Sequence, residues 1–228
     1  MSQNIIVLLG PPGCGKGTQG AVLSERLNIP ALSTGALLRA ECESGTPLGK
    51  AVNTTLCRGE LVSDDVMNQV VASWIVHPHC ANGLLLDGYP RTVPQAMFFD
   101  DTLDALGMPR PTVIQIDVPG RVLVDRITGR QQCPSCGRIY HVRHRPPALD
   151  RVCDHDGMAL IRRADDTEAA IQERLRRYEE ATAPLIEYYR GMDFHRVDGT
   201  DNPAIVLEAI EAALGLPVWQ STRARRTA

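Results

Sequence analysis

No apolar run in this chain is long enough to cross a membrane or to form the core of an export signal. The one apolar stretch near the start, Asn4-Ile5-Ile6-Val7-Leu8-Leu9, has six residues, so a cytoplasmic location and no membrane partner are expected. There is no excess of positive charge either. The net charge is −3, which supplies no basic field to gather nucleic acid. Cysteine is sparse and odd in number, seven in all; with no export signal, that favours free thiols or a metal site over disulfides. Internal repeats and low-complexity tracts are missing too. What remains is 228 residues, 43% hydrophobic and 22% charged, ordinary for a globular protein and sufficient for one α/β domain with insertions.

The most informative residues follow that first apolar run: Gly10-Pro11-Pro12-Gly13-Cys14-Gly15-Lys16-Gly17-Thr18. A strand that runs into a glycine-rich turn and then a helix is a phosphate cradle. The glycines let backbone N–H groups aim inward, and the helix adds its positive end. Lys16 supplies a mobile charge for the outer phosphates. One deviation is visible, since Gly17 stands between the lysine and Thr18.

Further strands are expected at Gly83–Asp87 and Thr112–Val118, and a weaker one at Phe194–Val197. Short continuous apolar strands between helices predict a parallel sheet covered on both faces. Helices are expected over 93–107, 120–128, Thr167–Arg190 and Ala204–Leu214. Asp165 with Glu168 reads as the start signal of the third, and Pro184 should kink or restart it. The basic tail from Val218 to Ala228 is expected to fray.

From Arg130 to Arg163 no helical period is visible. Cys133-Pro134-Ser135-Cys136 is followed, after sixteen intervening residues, by Cys153-Asp154-His155-Asp156. Two such pairs suit tetrahedral zinc held by Cys133, Cys136, Cys153 and Asp156, with His155 or Asp154 competing for the fourth place. About 34 residues cannot build a core alone, so the metal is expected to be structural.

Several segments place charge where a second anionic ligand could sit. Asp87-Gly88-Tyr89-Pro90-Arg91 closes a buried strand, where the acid can orient Mg2+ and Arg91 can grip phosphate. Ser33-Thr34-Gly35-Ala36-Leu37-Leu38-Arg39 brings another arginine near a helix start. Arg126, Arg130, Arg163 and Arg174 lie at or beside the edges of the cysteine-bearing insertion. Singly, each arginine reads as a solvated charge; as a set they suit phosphoryl transfer between two nucleotides.

With these motifs, and with Gly59-Glu60-Leu61-Val62 and Val197-Asp198-Gly199-Thr200, the chain resembles the nucleoside monophosphate kinases, specifically the long-lid bacterial adenylate kinases. The resemblance runs from the first strand to about Leu214. It implies a five-stranded parallel P-loop core (1–32, 63–128 and 167–228), an AMP-binding insertion (33–62) and a zinc-stapled lid (129–166). It implies ATP phosphates on Gly13, Cys14, Gly15, Lys16, Gly17 and Thr18, with Asp87 ordering the magnesium shell. Ile139 and Tyr140 in the lid, with the loop from Gly199 to Asp201, would flank the ATP base. AMP would lie on Thr34, Arg39, Glu60, Leu61, Val62, Gly88, Tyr89, Pro90, Arg91 and Gln95, with Gln95 reading the adenine edge. Arg126, Arg130, Arg163 and Arg174 would clamp the transferring group, the last two also reaching AMP. The reaction implied is ATP plus AMP giving two ADP, carried out by a monomer. Sister kinases with another donor or acceptor base are the nearest alternative, and a zinc-ribbon binding module with a vestigial phosphate loop is a distant one. Ala36 departs from the family pattern, which has Asp after Ser-Thr-Gly.

Overall fold

The structure is a computed structural model that describes residues 4–217; the tail Val218–Ala228 lies outside the described residues. Its centre is a five-stranded, all-parallel sheet. The strands are β1 (Asn4–Leu9), β2 (Ala31–Ser33), β3 (Gly83–Asp87), β4 (Thr112–Asp117) and β7 (Phe194–Asp198), in the order β2-β3-β1-β4-β7. β1 alternates strictly. Ile5, Val7 and Leu9 enter one apolar cluster with Leu84, Leu86 and Val113, while Ile6 and Leu8 enter the opposite one with Leu85, Ile114 and Ile116. Both faces are thus buried, as the continuous apolar strands predict, and each fully buried leucine contributes about 2 kcal/mol.

Helix α1 (Lys16–Leu27) follows β1 through the glycine-rich turn. The next three helices, α2 (Thr34–Ser44), α3 (Pro47–Cys57) and α4 (Asp64–Ile75), separate β2 from β3. Helix α5 (Val93–Ala105) follows β3, and α6 (Gly120–Thr128) follows β4. A small antiparallel pair, β5 (Arg130–Gln132) and β6 (Ile139–His141), opens the insertion. The chain then returns through α7 (Glu168–Arg177), a π-helical turn (Tyr178–Thr182), α8 (Pro184–Tyr189) and, after β7, α9 (Pro203–Ala213).

One expectation needs correction. The start of α7 is Thr167, whose hydroxyl accepts from the Ala170 amide at 3.3 Å; Asp165 is instead drawn into ion pairs with arginines. Strand β2 carries no sequence signal, because three residues are too few for a period. Pro184 does restart the helix, at its first position, where the missing amide costs nothing.

Candidate active site

The carboxyl ends of β1 and β3 lie side by side, with Leu8 paired to Asp87. A cleft outside the strand ends is where parallel sheets bind ligands. Gly13 of the turn has φ +84°, and a Cβ there would come within 2.7 Å of the Ile127 side chain, so only glycine fits. No side chain caps the start of α1, where Gly15 is the N-cap. By contrast, Thr46, Thr92, Thr167 and Asn202 cap α3, α5, α7 and α9. The first-turn amides of α1 therefore face the turn without a protein acceptor from a side chain, the arrangement that suits an anion. The Lys16 ammonium lies over the turn, 2.6 Å from the Gly10 carbonyl and 3.0 Å from that of Pro11.

Asp87 joins this turn to a second pocket. A Cβ on Gly17 would lie 3.4 Å from its Oδ2, and Ser33 donates to the same oxygen at 3.2 Å. On the far side, Thr34 Oγ1 donates to the Gly88 carbonyl at 2.9 Å, and Arg91 Nε donates to it at 2.7 Å. The pocket beyond is lined by Thr34, Glu60, Leu61, Val62, Gly88, Arg91 and Gln95, with Leu38, Leu56 and Met67. Seven residues from three separate sequence motifs thus converge there. Arg39 flanks it, since a Cβ on Gly35 would sit 3.3 Å from the Arg39 guanidinium and 3.8 Å from that of Arg91. It lies midway along α2, not at its start. Tyr89 and Pro90 are buried and present no side chain to this pocket; the Tyr89 hydroxyl donates inward to Asn68 at 2.7 Å.

Arg130 and Arg174, with Arg39, converge on Asp165 and Asp166. Arg130 Nε donates to Asp166 at 2.8 Å, and Arg174 lies 3.3 Å from both acids. Arg163 stands close by and donates to Gln132. Burial, then the neighbouring Arg130 and Arg39, push the Arg163 guanidinium down to about 9. Burial first, then the charge of Arg174 and Arg39, likewise lowers Arg91. Burial would raise the Asp165 carboxyl, but Arg174, Arg39 and Arg163 outweigh it and hold it below the ordinary value. Five arginines around so few acids leave a net positive lining suited to a polyanion. Arg126 is placed elsewhere. It bridges the phosphate turn to the loop after β7, donating to the Cys14 carbonyl at 3.4 Å and that of Thr200 at 3.2 Å. Gly199 and Asp201 belong to this loop, and the Gly199 amide is tied to the Asp117 carbonyl at 2.8 Å.

In the insertion, the sulfurs of Cys133, Cys136 and Cys153 and a carboxylate oxygen of Asp156 lie within 4.8 Å of one another. Each pair forms the same tight turn, with Gly137 and Gly157 donating back to the Cys133 and Cys153 carbonyls at 3.1 and 2.9 Å. The Cys136–Cys153 sulfur separation is 3.6 Å, and Asp156 Oδ2 is 3.3 Å from Cys133 Sγ. Tetrahedral zinc requires edges of about 3.6–3.8 Å, so this donor set fits that ion. Asp154 is engaged elsewhere, accepting from the Ala148 amide at 2.8 Å. The Tyr140 ring is buried beside Cys153, with the hydroxyl 3.5 Å from that sulfur. Ile139 beside it is half-exposed.

Sequence reasoning missed Asp64. Its carboxylate accepts from Thr92 Oγ1 at 2.8 Å and from Gln95 Nε2 at 2.7 Å. Its place two residues after the Glu60–Val62 segment was the available signal.

Comparison with known proteins gives a consistent answer. The family model described as adenylate kinase matches residues 8–193. The adenylate kinase of Moorella thermoacetica is 47% identical over 94% of this chain and 99% of its own length. That of Anaeromyxobacter dehalogenans is 42% identical over 92% and 99%. The Methanosarcina acetivorans adenylate kinase is 44% identical over 92% and 97%.

Proposed function

The chain belongs to the adenylate kinase family and transfers a phosphoryl group between ATP and AMP, and we propose that it seats the two nucleotides on opposite sides of Asp87. The observation that carries this reading is the placement of that residue. Asp87 borders the phosphate turn through Gly17, accepts from Ser33 at the end of β2, and offers its carbonyl, with that of Gly88, to Thr34 of the second pocket. ATP phosphates lie on Gly13, Cys14, Gly15, Lys16, Gly17 and Thr18, and the base lies between Ile139, the backbone at Tyr140 and the Gly199–Asp201 loop. AMP occupies the pocket of Thr34, Glu60, Leu61, Val62, Gly88, Arg91 and Gln95, with Arg39 at its edge.

The nucleophile is an AMP phosphate oxygen, ionised at neutral pH, so no general base is required. Positioning and charge neutralisation supply the catalysis. Lys16 moves from the turn's own carbonyls to the outer phosphates. Arg91 holds the AMP phosphate, and Arg130, Arg163 and Arg174 spread charge over the group in transit. Arg126 orients the donor from the turn side. Asp87, with its hydrogen bond from Ser33, is the residue that would hold Mg2+ through its water shell. When bound with ATP, that ion supplies further positive charge at the phosphate oxygens. Cys133, Cys136, Cys153 and Asp156 would hold Zn2+, which acts as a staple and enters no step.

We assign 33–62 as the acceptor cover and 129–166 as the donor lid, on a core of 1–32, 63–128 and 167–228. Closure of both covers would exclude water, the competing nucleophile. All seven cysteines are free thiols, and among the described residues no helix is long and apolar enough to cross a membrane. Unpaired cysteines suit the reducing cytoplasm, and the family resemblance suggests a monomer.

The test is Arg91→Ala, with each nucleotide varied in turn. Loss of a bidentate charged contact should raise the KM for AMP roughly tenfold or more and leave that for ATP nearly unchanged. An equal rise in both would remove Arg91 from the acceptor site.

A further inference from the structure

We propose that Asp64 is a specificity-determining positioning residue: it locks the side-chain amide of Gln95 in the one orientation that accepts adenine and refuses guanine. This deepens the reading of the Arg91 pocket as the AMP site and rests on it.

An isolated glutamine can turn its amide over, exchanging donor for acceptor at little cost. Gln95 cannot, because both ends meet groups of fixed polarity. Its Oε1 accepts from the Arg91 backbone amide at 2.8 Å, a group that can only donate. Its Nε2 donates to Asp64 Oδ1 at 2.7 Å, a carboxylate that can only accept. Turning the amide over would set Oε1 against the carboxylate and –NH2 against the N–H, two repulsive contacts in place of two good ones. Gln95 is 2% exposed, so water cannot repair them.

Each end of the amide keeps one valence for the pocket, a second N–H on Nε2 and a second lone pair on Oε1. Adenine offers the complement, an N6 amino donor beside a ring-nitrogen acceptor. Guanine in the same slot puts the O6 acceptor where N6 would be, facing Oε1. Discrimination then depends on the amide being unable to follow the base, and Asp64 supplies that restraint.

Asp64 also has a structural bond. Its Oδ2 accepts from Thr92 Oγ1 at 2.8 Å, and Thr92 caps α5 by accepting from the Gln95 amide at 3.2 Å. A bridge between α4 and α5 would explain Asp64 without any role in base choice, so the test must separate the two.

The experiment measures kcat/KM with AMP and with GMP at saturating MgATP, and the melting temperature, for five proteins: wild type, Gln95→Ala, Asp64→Asn, Thr92→Val and the Asp64→Asn/Gln95→Ala double variant. Asn at 64 can present either oxygen or –NH2, which removes one of the two restraints and leaves the Arg91 backbone amide as the only group opposing a turned Gln95 side chain. Asp64→Asn should reduce the AMP:GMP ratio about tenfold or more, through a higher KM for AMP and a gain with GMP, with kcat for AMP changing less than about threefold. In the double variant, Asp64→Asn should change the ratio no further than Gln95→Ala alone. Thr92→Val should lower the melting temperature and keep the ratio. A ratio unchanged by Asp64→Asn but lost in Gln95→Ala would overturn the proposal and leave the AMP pocket standing. A ratio untouched by Gln95→Ala would overturn the pocket reading itself. A shift in Thr92→Val equal to that in Asp64→Asn would reduce Asp64 to a structural bridge. Should Asp64→Asn fail to fold, Asp64→Ser replaces it, since a hydroxyl also donates or accepts.

Discussion

Lys16 is the side chain on which the donor half of the site depends. In the structure its ammonium rests on the Gly10 and Pro11 carbonyls, contacts that it can exchange for phosphate oxygens without moving the backbone. It makes no ion pair in the fold among the described residues, so its removal should cost little stability. Lys16→Ala is expected to lower kcat by roughly 100-fold or more, several kcal/mol of transition-state stabilisation, with a melting temperature close to wild type. Single-turnover kinetics beside a thermal melt checks both halves, and a folded variant that keeps most of kcat would remove the turn from the chemistry. The arginines differ from Lys16 in kind. Arg91, Arg163 and Arg174 are held in a half-buried, mutually repelling group whose guanidinium pKa values lie below the ordinary one, first through desolvation. Which arginine belonged to which group was only partly legible. The sequence puts Arg126 four residues before Arg130, yet the structure sends Arg126 to the phosphate turn and Arg130 to Asp166.

Among the elements, the insertion stands apart, because what holds it is not packing. Its apolar cluster is Cys133, Tyr140, Cys153 and Leu160, too small to pay for ordering the segment. Two of those four are proposed zinc ligands, and a third braces one of them. Chelation should therefore lower the melting temperature first and activity second, as Arg130 and Arg163 lose their support. A loss of only about 2 kcal/mol corresponds to roughly 4–8 °C in a chain of this size. Asp156→Cys should keep or tighten the metal, since a thiolate is the softer ligand, and Asp156→Ala should loosen it, with His155 the neighbour left to substitute because Asp154 is tied to Ala148. Metal analysis of the purified variants with parallel melts is the check. Zinc near zero in wild type with an unaffected melt would mean that hydrogen bonds hold the insertion. The staple was legible because its two turns repeat one spacing. The burial of Tyr140 was not, since the partners of its hydroxyl, Cys153 and the Asp154 amide, lie thirteen and fourteen residues on.

For the whole molecule, the sheet was legible where a strand is both long and buried. Asn4–Leu9 and Gly83–Asp87 stand in the sequence as runs, and Thr112–Val118 ends one residue earlier, at Asp117. The order of the strands, and the outermost strand Ala31–Ser33, follow from packing that no local pattern encodes. The same holds for the site. The phosphate turn is contiguous and was read directly, whereas Asp64 acts on residues 28 and 31 positions away. The proposed transfer needs both sides of Asp87 at once. The most direct measurement is ADP formation by the purified protein from MgATP with AMP, CMP, UMP or GMP, beside ATP hydrolysis with no acceptor. Rapid ADP formation with AMP, far slower turnover with the other three and negligible hydrolysis alone is the expected result. Turnover that is indifferent to the acceptor, or ATP hydrolysis as fast without AMP as with it, would contradict it.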